Sequence, residues 1–519
     1  MIRLRFVAVT VAVFILVSTS WGQVRAPSDL DAYVERVLEA FEVPGVSVTI
    51  VKDGDVIVAK GYGVKMLGEP DAVDEHTLFG IASNTKAFTA TGLGMLVEEG
   101  KLEWNAPVID YLPWFRMSDP FVTREMTIRD LLVHRSGLAL GAGDLMWWPP
   151  TDYDRKEIVR RLRYLPLKTS FRSAYAYDNV LYIVAGEVIE AVSGQSWEDF
   201  IESRILIPLG MSESNVRHSI SGEGRNTATT HAPIGGEVKI VQPFQSDNTN
   251  PAGGINSNAV DIAKWLVVQL DSGRVAQDRR LFSPRITREL WSIVTPIPSG
   301  TPAPELSPLK TNFNGYALGF GIRDYRGKKL VTHTGFLPGY ASRVAMIPEL
   351  KLGVAVFTNQ ESGDAYNSIT HYILDHYLGV SDTDWLQAFQ TVRERIKASV
   401  PSVDDASLLV PPVATRPSLA LDAYTGVYQD IWYGNIIMEH GEDGLRIRFA
   451  HTPSLVGDLI HYMNDTFIAK WDDRELRADS FVIFDFNADG SVYQARMRAV
   501  SRATDFSFDF HHLRLRPIE

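Results

Sequence analysis

Residues 79–96 read FGIASNTKAFTATGLGML. Ser83 and Lys86 stand three apart in it, at the head of a predicted helix rich in small residues. Side chains at i and i+3 share a helix face, with Cβ atoms about 5–6 Å apart. A helix N-terminus also offers free N–H groups and a partial positive charge. A serine placed there can attack a carbonyl if a neighbour takes its proton. A lysine can be that neighbour when burial or nearby cations lower its pKa. Alone, Ser-x-x-Lys is a weak signal that more often describes a capping serine followed by a surface lysine. The apolar approach and the small-residue helix decide against the surface, because they place Lys86 inside, where an unpaired charge is costly.

Two further groups join this pair. Tyr177 and Asn179 lie two apart in SAYAYDNVLYIVAGEVIE, just before a predicted helix, from where both can point into one cleft. His333, Thr334 and Gly335 end the predicted strand KLVTHTG, and the glycine lets a substrate backbone come close. Each has a plain structural reading when taken alone: a packing tyrosine, a helix-capping asparagine, a satisfied strand histidine. GAGDLMWWPP (141–150) places Met146, Trp147 and Trp148 in a predicted loop, as a wall or lid over a bound group or as ordinary packing.

The chain has 519 residues, a formal net charge of -12 and no cysteine. At roughly 100–200 residues per domain, the length suggests two or three domains. The acidic balance argues against nucleic acid as a partner, which would need a basic face. Without cysteine there is no disulfide framework, zinc–thiolate site or cysteine nucleophile. The opening MIRLRFVAVTVAVFILVSTSWGQ has a basic start, an apolar run from Phe6 to Val17, and Ser20 and Gly22 before a cleavage point. This is the pattern of a secretory signal over 1–22, with an uncleaved anchor as the alternative. The expected location is exported, periplasmic or secreted. No later stretch reaches about 18 apolar residues, so no membrane span is expected after signal removal.

LDAYVERVLEAF has helical spacing, and GVSVTIVKDGDVIVAKGYG alternates around Asp53-Gly54, a hairpin signal. Residues 81–290 read mostly as helices broken by Pro and Gly loops. KKLVTHTG, YASRVAMIPEL and KLGVAVFTN read as three successive strands, and DAYNSITHYILDHYLG as a closing helix. A helical connector and Pro-rich linker fill 381–415. From 416 to 519, short alternating strands with Gly turns predict a small all-β, lipocalin-like barrel.

At this point the chain resembles the serine β-lactamase and penicillin-binding-protein superfamily, on the branch with class C β-lactamases, D-aminopeptidases and related esterases. Ser-x-x-Lys, Tyr-x-Asn and a Lys/His-x-Gly strand occur in family order. KLEWNAPVIDYLP, TIRDLLVHRSGL, IPLGMSES and PAGGINSNAVDIAKWL resemble the connecting text. The resemblance covers about 28–380, and more loosely the appended barrel. It implies an α+β fold: a mixed antiparallel sheet flanked by helices, plus a helical region. It also implies that Ser83 forms an acyl-enzyme, that Lys86 and Tyr177 move its proton, and that Asn179 holds Lys86 and the substrate. The backbone N–H groups of Ser83 and Phe336 would form an oxyanion hole. His333 would line the cleft, with Thr334, Gly335 and Trp147 beside the substrate.

The third motif departs from β-lactamases, with His333 where a lysine usually binds the drug's carboxylate and Phe336 after the glycine instead of a hydroxyl residue. Poor turnover of penicillins is the expectation. The implied activity is that of a peptidase or amidase on short or unusual peptides, including D-residues. An ester hydrolase is the alternative, and a weak β-lactamase or non-turnover penicillin sensor a further one. No cofactor and no metal are expected. Asp485–Gly490 starts like a calcium loop, but Arg496 stands where a bidentate Glu is needed. His371 and His376 are spaced wrongly for two ligands on one helix face. The partner is a small molecule or short peptide, and a homo-oligomer is left open. The barrel is expected to restrict substrate size, so that deleting 416–519 would broaden the range.

Overall fold

The Asp53-Gly54 turn has φ of 55° and 96°, the left-handed values an Asp-Gly hairpin needs. It joins β1 (Gly45–Lys52) to β2 (Asp55–Gly63), directly after α1 (Leu30–Phe41). The structure, a computed structural model, describes residues 25–220, 224–399 and 410–518. The expected signal over 1–22 and much of the expected linker fall outside the described residues.

A helical region follows, carrying α2 (Thr85–Glu98), α3 (Val180–Ser193) and α4 (Ala259–Leu270). Every residue of α2 from Thr85 to Leu96 is buried, so this helix has no solvent face. The chain then returns to the first sheet through β3 (Thr295–Pro296), β4 (Asn314–Tyr316), β5 (Gly321–Tyr325), β6 (Lys328–Leu337), β7 (Tyr340–Ile347) and β8 (Leu352–Thr358). The order is β2-β1-β8-β7-β6-β5-β4-β3, with antiparallel neighbours throughout. One sheet face packs on α1 and on α5 (Gly363–Leu378), burying Val34, Val37, Phe41, Ile369 and Ile373. The other face packs on the helical region, with Phe88, Leu93 and Trp265 in the core. α6 (Trp385–Ser399) packs on α5 and α1, with Trp385 and Phe389 in the same core.

The second sheet contains β9 (Gly426–Asp430), β10 (Gly434–His440), β11 (Leu445–Phe449), β12 (Val456–Met463), β13 (Thr466–Trp471), β14 (Ser480–Phe486), β15 (Val492–Ala499) and β16 (Arg516–Ile518). They run β15-β14-β13-β12-β11-β10-β9-β16 as an antiparallel meander. A bridge between Ala495 and Leu515 brings the two ends together, leaving a nearly closed barrel. The calcium-like Asp485–Gly490 segment runs from the end of β14 into the turn before β15, and the Asp485 carboxylate accepts from Arg496 and Gln494. The chain thus has the expected α+β architecture with an appended barrel.

The site lies where β6 loses a neighbour. β5 pairs with β6 only from Lys328 to Thr332, so His333–Leu337 has β7 on one side and an open edge on the other. Gly335 sits against the turn that carries Ser83. A Cβ at this position would meet the Ile81 carbonyl oxygen at 2.4 Å and the Ala82 Cβ at 2.9 Å.

Candidate active site

Ser83 occupies a short 3-10 turn, Ala82–Asn84, that runs straight into α2. Ala82 before it has φ of 50°, an uncommon conformation for a residue with a Cβ, and it turns Ser83 toward the cleft. One helical turn on, Lys86 is fully buried. Its Nζ lies 3.0 Å from Ser83 Oγ, 2.8 Å from Asn179 Oδ1 and 2.9 Å from the Ala252 carbonyl oxygen. Burial pushes Lys86 down to about 7, while the carboxylate of Asp144 pulls the other way. The amide and carbonyl oxygens only accept. A neutral Lys86 therefore spends its two N–H groups on them and turns its lone pair to the Ser83 hydroxyl.

The Tyr177 ring packs 4.9 Å from the same Nζ. Burial pushes the Tyr177 phenol well above its ordinary range, and contact with the Ser83 hydroxyl offsets this only in part. Asn179 does not cap the helix it precedes. Its amide N–H donates instead to Asp144 Oδ2 at 2.9 Å. Ser83, Lys86, Tyr177 and Asn179 thus converge from two segments far apart in sequence.

His333 faces the same cavity but bonds to neither Ser83 nor Lys86 among the described contacts. Its Nδ1 lies 2.6 Å from the Thr334 carbonyl oxygen, which fixes the proton there, so Nε2 accepts from the Tyr316 hydroxyl at 2.7 Å. Burial, with Lys86 adding to it, pushes His333 down to about 3. It is a neutral wall residue here, not a cation standing in for lysine. The Phe336 ring is 46% exposed at the cavity mouth. Trp147, expected in a loop as wall or lid, follows a 3-10 turn (Asp144–Met146) and is buried, its indole N–H donating to Asp144 Oδ1 at 2.9 Å. It is a pinned wall.

Several residues at the site carried no signal that sequence reading used. His134 lies within TIRDLLVHRSGL and has φ of 55°. Its Nδ1 accepts the Asp178 N–H at 3.0 Å, and its ring packs 4.2 Å from Tyr177, which ties down the 175–179 loop. Asp144 is buried beside Asn179. Arg323 and Arg343, on β5 and β7, also line the cavity. Burial, with Arg323 adding to it, pushes Arg343 down to about 9. The barrel supplies Asp505, Phe506 and Ser507.

These groups surround a cavity of about 440 Å³ that opens at Ser83. A second space of about 700 Å³ lies between hydrolase and barrel, and Trp148, Phe336, Leu337 and Asp505 line both. The barrel is bound to the hydrolase by the paired Arg477–Glu361 contacts at 2.8 and 2.9 Å and by the Asp152–His451 pair at 2.8 Å.

The profile of the family described as Beta-lactamase matches residues 30–378, and a domain of unknown function, DUF3471, matches residues 410–517. The unguisins hydrolase of Aspergillus campestris is 30% identical over 420 residues, covering 77% of this chain and 75% of that protein. The D-amino acid amidase of Ochrobactrum anthropi, solved with L-phenylalanine, is 25% identical with a TM-score of 0.54, over 72% of this chain and 99% of that one. The octameric penicillin-binding protein homologue of Pyrococcus abyssi is 23% identical with a TM-score of 0.59, over 94% and 99%, and shares the fold. Among the described residues no helix is long and apolar enough to cross a membrane. The chain belongs to the beta-lactamase family, and it is a serine hydrolase of that family.

Proposed function

We propose that the protein is an exported peptidase or amidase that works through an acyl-enzyme on Ser83. The observation that carries this reading is the Lys86 amine: buried, with its two N–H groups held by fixed acceptors and its lone pair turned to Ser83 Oγ. Ser83 Oγ attacks the scissile carbonyl as its proton passes to Lys86 Nζ. The substrate oxygen collects negative charge and is met by the N–H groups of Ser83 and Phe336. Tyr177, still protonated, gives its proton to the leaving nitrogen and is refilled from Lys86. Water then repeats the sequence on the acyl-enzyme and frees Ser83.

An amide substrate fits the open edge of β6, where an extended peptide backbone can pair with 333–337. Similarity to a D-amino acid amidase supports amide substrates, including ones with D-residues, and similarity to an unguisins hydrolase supports hydrolysis. Export rests on the signal-like pattern of 1–22.

The test is a comparison of kcat/KM on a short peptide amide in D and L forms and on the matching ester, with Ser83→Ala as blank. The expected outcome is amide hydrolysis within about 100-fold of the ester, a barrier difference under about 3 kcal/mol. Ester hydrolysis alone assigns the protein to the esterases.

A further inference from the structure

Behind Lys86 a chain of hydrogen bonds continues into the barrel. Asn179, which accepts from Lys86, donates to Asp144 Oδ2 at 2.9 Å. The same oxygen accepts the Ser507 hydroxyl at 2.9 Å, across 363 residues of sequence. Asp144 Oδ1 takes the Trp147 indole N–H. The Asn179 amide, the Trp147 indole and the Ser507 hydroxyl thus all meet this carboxyl, whose pKa burial and the nearby Asp509 push well above the ordinary carboxylate range. The turn that presents Asp144 is also gripped from the barrel. Asp509 accepts the N–H of Gly143 at 2.8 Å and that of Leu145 at 3.2 Å, the residues on either side.

We propose that Asp144 is a positioning residue for Lys86, acting through Asn179, and that Ser507 and Asp509 of the barrel hold it in place. The barrel is then part of the apparatus that prepares the nucleophile, in addition to walling the cavity. Asp144 accepts the Asn179 amide N–H and so orients the amide with its oxygen on Lys86. This rests on the proposed role of Ser83 and Lys86.

The experiment uses the full chain and a p-nitrophenyl ester. Asp144→Ala is expected to lower kcat at least tenfold and Ser507→Ala at least threefold, each with KM within twofold of wild type. Ser507→Thr, which keeps the hydroxyl, is expected to regain most of the lost rate. Because Ser507 acts through Asp144, the double variant should be no slower than Asp144→Ala alone, whereas independent sites would multiply. A wild-type kcat for Ser507→Ala, failure of Ser507→Thr to recover, or multiplying effects each overturn the proposal. If Asp144→Ala does not fold, the Ser507→Ala and Ser507→Thr pair decides. Ser83→Ala runs alongside. If it turns over like wild type, the proposed function falls and takes this inference with it. If it is inactive while Ser507→Ala is unaffected, only this inference falls.

Discussion

At the residue scale, the site turns on which proton carrier is empty at neutral pH. Lys86 is pushed down to about 7 because its ammonium is shut away from water, and His333 to about 3 for the same reason. Tyr177 is pushed up and keeps its proton. A base must be neutral, so lowering the pH through Lys86's value fills its lone pair and removes activity. The expected pH profile of kcat/KM rises tenfold per unit up to a midpoint near 7, then levels. A rate that stays flat from pH 5 to 8 would remove Lys86 from the role of base. A neutral His333 does not supply the charge that a lysine would bring to the third motif. The positive charge near the cleft sits instead on Arg323 and Arg343, on the two strands flanking β6.

At the scale of elements, the site is a junction between the N-terminal turn of α2 and the open half of β6. Gly335 makes the junction possible, since a Cβ there would also meet Ser342 Oγ at 2.7 Å. Gly335→Ala must push β6 away from the Ser83 turn. Overpacking of this kind costs about 1–3 kcal/mol, and moving the Phe336 N–H off the reacting carbonyl should cost at least tenfold in kcat/KM. Thermal unfolding and ester kinetics on the same variant check both, and wild-type kinetics would mean the strand does not help form the oxyanion site. The three strands around His333, the Asp53-Gly54 hairpin, α1 and the closing helix α5 were all legible in sequence. Alternation, an Asp-Gly turn and helical spacing are local signals, and the burial of Leu30, Tyr33, Val34, Val37 and Phe41 follows the spacing of α1. The pinning of Trp147 was not legible, because its partner Asp144 has no periodic signature.

At the scale of the molecule, hydrolase and barrel share one hydrophobic core, with Tyr153 and Val180 in the same cluster as Tyr424 and Trp432. Deleting 416–519 would bare that surface and remove the groups that bind Asp144 and its turn. The expected result is a destabilised chain without turnover, in place of the broadened range anticipated from sequence. A gentler test of the wall is Phe506→Ala. Phe506 lines the cavity, and its ring lies 6.2 Å from that of Tyr177. Trimming it should raise kcat/KM for a bulky acyl ester relative to acetate severalfold. An unchanged ratio would mean that the barrel loop does not limit acyl size.

By itself, the sequence determined the order of the elements, the barrel as a separate texture, and the four groups Ser83, Lys86, Tyr177 and Asn179, because turn chemistry, periodicity and motif spacing are written along the chain. Only the tertiary structure decided the charge states of Lys86 and His333, which depend on burial. It alone brought in His134, Asp144, Arg343 and Ser507, whose partners lie up to 363 residues away. A hydrogen bond formed across such a distance leaves no local pattern, since any residue type able to accept or donate could fill the position until the fold supplies its partner.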